Sequence, residues 1–172
     1  SRAACTAGNS SATRTPIITA AEANRAIDVA AVSRLGDAAT NVQLTGDVVV
    51  VIPSRSSAGS VSYTTTGSLT VVQFPTNPGD TLGFTAGASL VVVSPLNVGE
   101  SGAVSVSARD SLTLGGLVTA GRLDVRAGDD LTLETDVNVM SVALTGATSD
   151  LVLRQRGDLL IRSLALGGGD VT

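Results

Sequence analysis

Residues Gly102 to Leu133 read GAVSVSARDSLTLGGLVTAGRLDVRAGDDLTL, and two short units recur inside that stretch. Leu112-Thr113-Leu114 returns as Leu131-Thr132-Leu133, and Val104-Ser105-Val106 returns as Leu123-Asp124-Val125, each after 19 residues. In every unit the apolar residues hold the first and third positions. Such alternation places both apolar side chains on one face of an extended strand. A helical face would need them three and four residues apart.

The units continue in both directions. Val48-Val49-Val50, Leu69-Thr70-Val71 and Leu90-Val91-Val92 come before Leu112, and Leu151-Val152-Leu153 follows Leu131. Their first members step by 21, 21, 22, 19 and 20 residues. A second series starts at Val42, Val61, Leu82, Val104, Leu123, Val142 and Leu164, with steps of 19, 21, 22, 19, 19 and 22. A third, weaker series holds Leu96, Leu117, Val137 and Leu159. The three series keep a common phase through the same insertions, as a repeat architecture requires. Strands that recur at this period stack in parallel, each turn about 4.8 Å above the last. The predicted fold is all-β, a parallel β-helix (β-solenoid) of about six turns counted from Val48, with a shaft on the order of 30 Å.

Composition agrees with this reading. The only aromatics among 172 residues are Tyr63, Phe74 and Phe84, so stacked Val and Leu must fill the core. The chain has no His, which removes the usual general base near neutral pH and the commonest metal ligand. A single Cys builds neither a thiolate zinc site nor an internal disulfide. Cys5 reads as a chance free thiol, ahead of an interchain bridge or a lipid anchor. Eleven cationic residues against fifteen acidic ones, net charge −4, argue against a nucleic-acid partner. The longest apolar run, Val48 to Ile52, is far short of the ~20 residues a membrane span needs. No catalytic, cofactor-binding or metal-ligating residue is expected.

The turns carry their own chemistry. Gly-Asp precedes strands at Gly46-Asp47, Gly79-Asp80, Gly128-Asp129 and Gly157-Asp158, and Asp110, Asp130 and Asp150 stand just ahead of ladder residues. Asp accepts hydrogen bonds from nearby backbone N–H groups, and Gly supplies positive φ. A calcium-binding reading of Gly167-Gly168-Gly169-Asp170 would need further copies at nine-residue spacing, and the chain has none.

The head of the chain differs. Residues 1–18 read as an arm or linker. Residues 19–36 read as a capping helix: Thr19-Ala20-Ala21-Glu22 matches a capping box, Ala23, Ile27, Ala31 and Leu35 form one apolar row, and Gly36 stops it. The competing reading makes Ile27-Asp28-Val29 an early strand. Residues 37–172 are the expected solenoid, as part of a longer repeat region. At the other end, Gly167 to Thr172 leaves a turn incomplete with no second helix to cover it. Its edge is expected to be covered by more of the same polypeptide, by another copy, or by the arm Ser1 to Thr15.

Gly102-Ala103-Val104-Ser105-Val106-Ser107-Ala108 and Gly121-Arg122-Leu123-Asp124-Val125-Arg126-Ala127-Gly128 resemble the G-x-L-x-V-x-A runs of filamentous-haemagglutinin-like large exoproteins of Gram-negative bacteria. The segment from Ile18 to Leu44 is similar to helix-then-strand inserts in the same family. The resemblance covers roughly residues 19 to 172. It implies a right-handed β-helix, secretion through an outer-membrane transporter, and a role as an adhesin or a toxin-bearing stalk at the cell surface. The family's Asn-Pro-Asn-Gly secretion signature is absent from this sequence.

Three functions follow for comparison. The first is a non-catalytic extracellular rod or adhesive segment that meets a host-surface or glycan receptor. The second is a filament subunit that self-associates through its solenoid ends. The third is a β-helical polysaccharide-processing enzyme, for which Asp124, flanked by Arg122 and Arg126, is the best local candidate. With Ser105 and Ala143 expected beside Asp124, no carboxylate cluster forms, and no enzyme is expected. Outer columns holding Thr113, Thr132, Val152, Val118 and Leu160 are a candidate flat contact surface, although an ordinary solenoid face accounts for them as well.

Overall fold

The computed structural model describes Ile17, Ile18 and residues 41–172, and the regular elements among them are all strands. In chain order these are β1 (Ile17–Ile18), β2 (Asn41–Leu44), β3 (Val48–Val51), β4 (Ser60–Thr65), β5 (Leu69–Gln73), β6 (Thr81–Ala86) and β7 (Leu90–Val92). They continue as β8 (Leu96–Ala108), β9 (Leu112–Leu114), β10 (Val118–Ala127), β11 (Leu131–Leu144), β12 (Leu151–Gln155) and β13 (Leu160–Leu166). The expected capping helix at 19–36 lies outside the described residues. Of the expected arm, Ile17 and Ile18 form β1, which pairs with Gln43 and Leu44 of β2.

Every strand pair is parallel, and the strands stack as a β-solenoid of about six turns. One face is a nine-stranded sheet in the order β1-β2-β4-β6-β8-β10-β11-β12, with β13 also on β11; a second face is a four-stranded sheet, β3-β5-β7-β9. The first predicted series stacks as expected, with Val48 on Leu69, Leu69 on Leu90, Leu90 on Leu112 and Leu131 on Leu151. Alternation explains the faces. Along β11 the burial alternates from Leu131 to Val137, so Leu131, Leu133, Thr135 and Val137 point inward while Thr132, Glu134 and Asp136 point out.

Register departs from the sequence reading in two places in the second series. Val42 pairs with Tyr63 rather than Val61, and Leu123 pairs with Met140 rather than Val142. Both errors are slips of two residues. A period-two pattern looks identical after such a slip, so only the length of the intervening turn sets the register. The turn from Leu123 to Met140 is therefore 17 residues long, not 19. The third series moves as well: Leu96 pairs with Val118, Ala120 with Val137, and Val139 with Leu160.

One contiguous aliphatic core runs up the shaft, and Leu112, Leu131, Leu151, Val104, Leu123 and Val142 are all buried in it. The three aromatics gather at one level. Phe74 meets Phe84 edge-on at 5.4 Å and Tyr63 edge-on at 6.0 Å, while Tyr63 and Phe84 stack at 6.2 Å. Phe74 stands in the loop 74–80, Tyr63 on β4 and Phe84 on β6. Beyond β13 no described strand follows, and its Leu160, Ile161 and Leu164 are exposed.

A polar column runs up the corner that precedes β3, β5, β7, β9, β11 and β12. It contains Asp47, Ser68, Ser89 and Ser111 below the break between β9 and β11, and Asp130, Asp150 and Asp170 above it; the first six stand one residue ahead of a core position, while Asp170 precedes the exposed Val171. Asp47 accepts the Ser68 N–H at 2.8 Å, Asp130 that of Asp150 at 2.8 Å, and Asp150 that of Asp170 at 2.7 Å. Between these, the Ser89 N–H donates to the Ser68 hydroxyl, and the Ser111 hydroxyl donates to that of Ser89. The acceptor role expected of these aspartates is present, but it serves the turn above rather than the residue's own turn. Gly46, Gly79 and Gly157 take the expected positive φ of 79°, 89° and 78°. Gly128 has no positive φ; it is needed because a Cβ there would lie 2.1 Å from the Arg109 carbonyl oxygen.

Candidate functional site

Two places concentrate polar chemistry, one inside the shaft and one outside. The inner one joins Arg55 and Asp80, whose side chains are 3% and 0% exposed. Arg55 Nη1 donates to Asp80 Oδ2 at 2.6 Å and Nη2 to Oδ1 at 3.1 Å, a bidentate pair. Nη1 also donates to the Pro75 carbonyl, and the guanidinium lies 4.8 Å from the Phe74 ring centroid. Asp80 accepts two further bonds, from the Gly59 and Asn77 N–H groups. Burial pushes the Asp80 carboxyl up, but the Arg55 hydrogen bonds and the two N–H donors outweigh it and hold the carboxyl below its ordinary value. With every oxygen occupied, this pair pins the loops 53–59 and 74–80 to each other. Sequence reading missed it: Arg55 stands alone among Ser, Pro and Gly, and Asp80 looked like one more turn residue.

The outer place is a groove of about 280 Å³ on the face carrying β8, β10, β11 and β13. Register sets its lining. Asp124 sits between Ser105 and Ser141, and Ser141 sits beside Ser163, so one column reads Ser105, Asp124, Ser141, Ser163. The neighbouring column reads Ser107, Arg126, Ala143, Ala165. The expected Ala143 neighbour of Asp124 is thus replaced by Ser141, a consequence of the same two-residue slip. Within β10, Arg122 Nε donates to Asp124 Oδ2 at 2.8 Å and Nη2 to Oδ1 at 3.2 Å, so both carboxylate oxygens are engaged. Arg126 is exposed. Small side chains beside these charged ones leave a shallow, open depression.

The proposed flat surface is not one surface. Thr113 and Thr132 are exposed and Val152 is half-buried, but Val118 is 1% exposed and belongs to the core. Leu160 projects from β13, beside Val139 in the C-terminal half of β11, away from Thr132 and Val152. The Thr113 and Thr132 columns are themselves divided, because the four-stranded sheet ends at β9 and shares no ladder with β11. A second opening, of about 500 Å³, marks that break and is lined by Leu114, Gly115, Asp130 and Glu134 among others. Among the described residues no group of three or more Cys, Asp or Glu is placed to hold a metal ion, and no helix is long and apolar enough to cross a membrane.

The architecture and the groove define a β-solenoid, with stacked parallel turns and a polar outer face. Comparison of the chain with protein-family models, with curated proteins and with solved structures finds no match in any of the three.

Proposed function

We propose that this chain is a non-catalytic structural or adhesive β-helix segment of a bacterial surface or secreted exoprotein, acting outside the cell. The observation that carries the reading is the stacking of parallel turns around a single aliphatic column. Each turn is tied to its neighbours by strand ladders, with corner hydrogen bonds added on either side of the break between β9 and β11, so the segment resists bending and holds its outer faces at fixed spacing. Such a shaft displays residues on its outer faces. The lone carboxylate of the outer groove is occupied by Arg122 and stands between serines, whereas glycoside hydrolysis ordinarily needs two carboxyl groups. The resemblance to filamentous-haemagglutinin-like exoproteins supports the extracellular setting, with an outer-membrane transporter and a host-surface or glycan receptor as partners.

The test is antibody labelling of intact cells that express the protein. The reading predicts labelling without lysis. Labelling only after lysis overturns it.

A further inference from the structure

We infer that the outer groove over β8, β10, β11 and β13 binds an acidic oligosaccharide, with Arg126 as the group that receives a uronate carboxylate. The inference rests on the reading of this segment as adhesive rather than catalytic.

Charge comes first. Arg122, Asp124 and Arg126 sum to one positive charge (+1, −1, +1) on a chain whose net charge is −4. Asp124 is already bound by both donors of Arg122, so its charge is spoken for within the strand. Arg126 has no ion-pair partner among the described residues. Its column neighbours, Ser107 and Ala143, are short and neutral. The guanidinium therefore stands over a low floor with its planar fork open to solvent, and a carboxylate is the group that matches two parallel N–H donors.

Geometry selects the rest of the ligand. The groove runs across the strands, along the solenoid axis, and the hydroxyls of Ser105, Ser141 and Ser163 lie in the column that contains Asp124. Neighbouring positions in such a column are about 4.8 Å apart. One pyranose unit of an extended linear glycan spans a similar length, so successive sugars meet successive strands. Each serine can donate to or accept from a sugar hydroxyl. The floor lacks aromatic residues, since Tyr63, Phe74 and Phe84 all sit in the core. Recognition must then come from hydrogen bonds and the single carboxylate contact, and a neutral glycan lacks the second.

The experiment is calorimetric titration of the full chain with a short oligogalacturonate, with its carboxyl-reduced neutral counterpart, and with poly-glutamate. The inference predicts saturable binding of the oligogalacturonate, and no binding of the other two. Arg126→Ala should weaken binding at least ~10-fold, since it removes a charge-assisted bidentate contact. Ser141→Leu should also abolish it by filling the groove. Arg154→Ala, which pairs with Glu134 across β11 and β12 and does not line the groove, should leave it unchanged. Circular dichroism checks that each variant is folded. Absence of saturable binding at millimolar ligand, equal binding of poly-glutamate, or indifference to Arg126→Ala overturns the inference. Binding with cleavage of the oligosaccharide would overturn the non-catalytic reading while leaving the site standing, and surface labelling without binding would do the reverse.

Discussion

Asp80→Asn is the most informative single perturbation of this shaft. The substitution keeps size and shape and removes the charge that faces Arg55. The guanidinium, 3% exposed and lying over Phe74, would keep its charge with the Pro75 carbonyl as remaining acceptor. Asn also offers one carbonyl oxygen where Asp80 accepts four bonds, two from Arg55 and one each from Gly59 and Asn77. Removing one partner of a buried pair costs ~3–5 kcal/mol. In a solenoid that loss falls mainly on the turns holding residues 53 to 80, because each turn contacts only its neighbours. Amide hydrogen exchange is therefore the sharper assay. Protection of the Gly59 and Asn77 amides should fall ~100-fold or more, as a tenfold step corresponds to ~1.4 kcal/mol. The double variant Arg55→Leu/Asp80→Asn should recover much of the loss, since no unpaired charge stays buried. If Asp80→Asn leaves both amides within about threefold of wild type, the pair is not what anchors these loops.

Leu131→Ala should cost ~2–5 kcal/mol in urea unfolding, as a large-to-small change in a column buried between turns; a cost below ~1 kcal/mol would contradict its 2% exposure. Glu134 and Arg154 are cross-strand partners at 3.5 Å on the surface, and a double-mutant cycle should return only ~0.2–1 kcal/mol, shrinking with salt. Gly121→Ala would place a Cβ 2.0 Å from the Glu100 carbonyl oxygen, and it should destabilise by at least ~1–3 kcal/mol because the obstacle is backbone rather than a yielding side chain. The Asp80 carboxyl is held below its ordinary value, so the stability it contributes is present above the unfolded value and is lost as pH falls through the folded one. Acid titration followed by circular dichroism should show that loss setting in below about pH 4, and Asp80→Asn should lack it.

The solenoid was legible because Leu112, Leu131 and Leu151 each stand behind a polar corner residue and ahead of a second inward aliphatic. Those local marks fix the side each residue faces. What alternation could not supply was the count of residues between strands. Val42 with Val61 and Leu123 with Val142 both satisfy the period of two, and the slip placed Ala143 where Ser141 stands beside Asp124. Thus the candidate groove was half visible: its charged residues Asp124 and Arg126, with Arg122 beside them, alternate along one strand, while its serines come from other turns. The Arg55–Asp80 pair was invisible for a different reason. Two irregular loops bring it together, and neither has a periodicity to read.

The corner column of Asp47, Ser68, Ser89, Ser111, Asp130, Asp150 and Asp170 means that residue number and height are decoupled in this molecule. A turn of 17 residues and one of 22 both raise the chain by a single strand spacing, because the extra length is spent outward, at the loops. The shaft works as a ruler graduated in turns. Insertions at 53–59 or 74–80 can thicken it locally without moving Ser105 relative to Ser163, and adding or deleting a whole turn is the change that alters its reach.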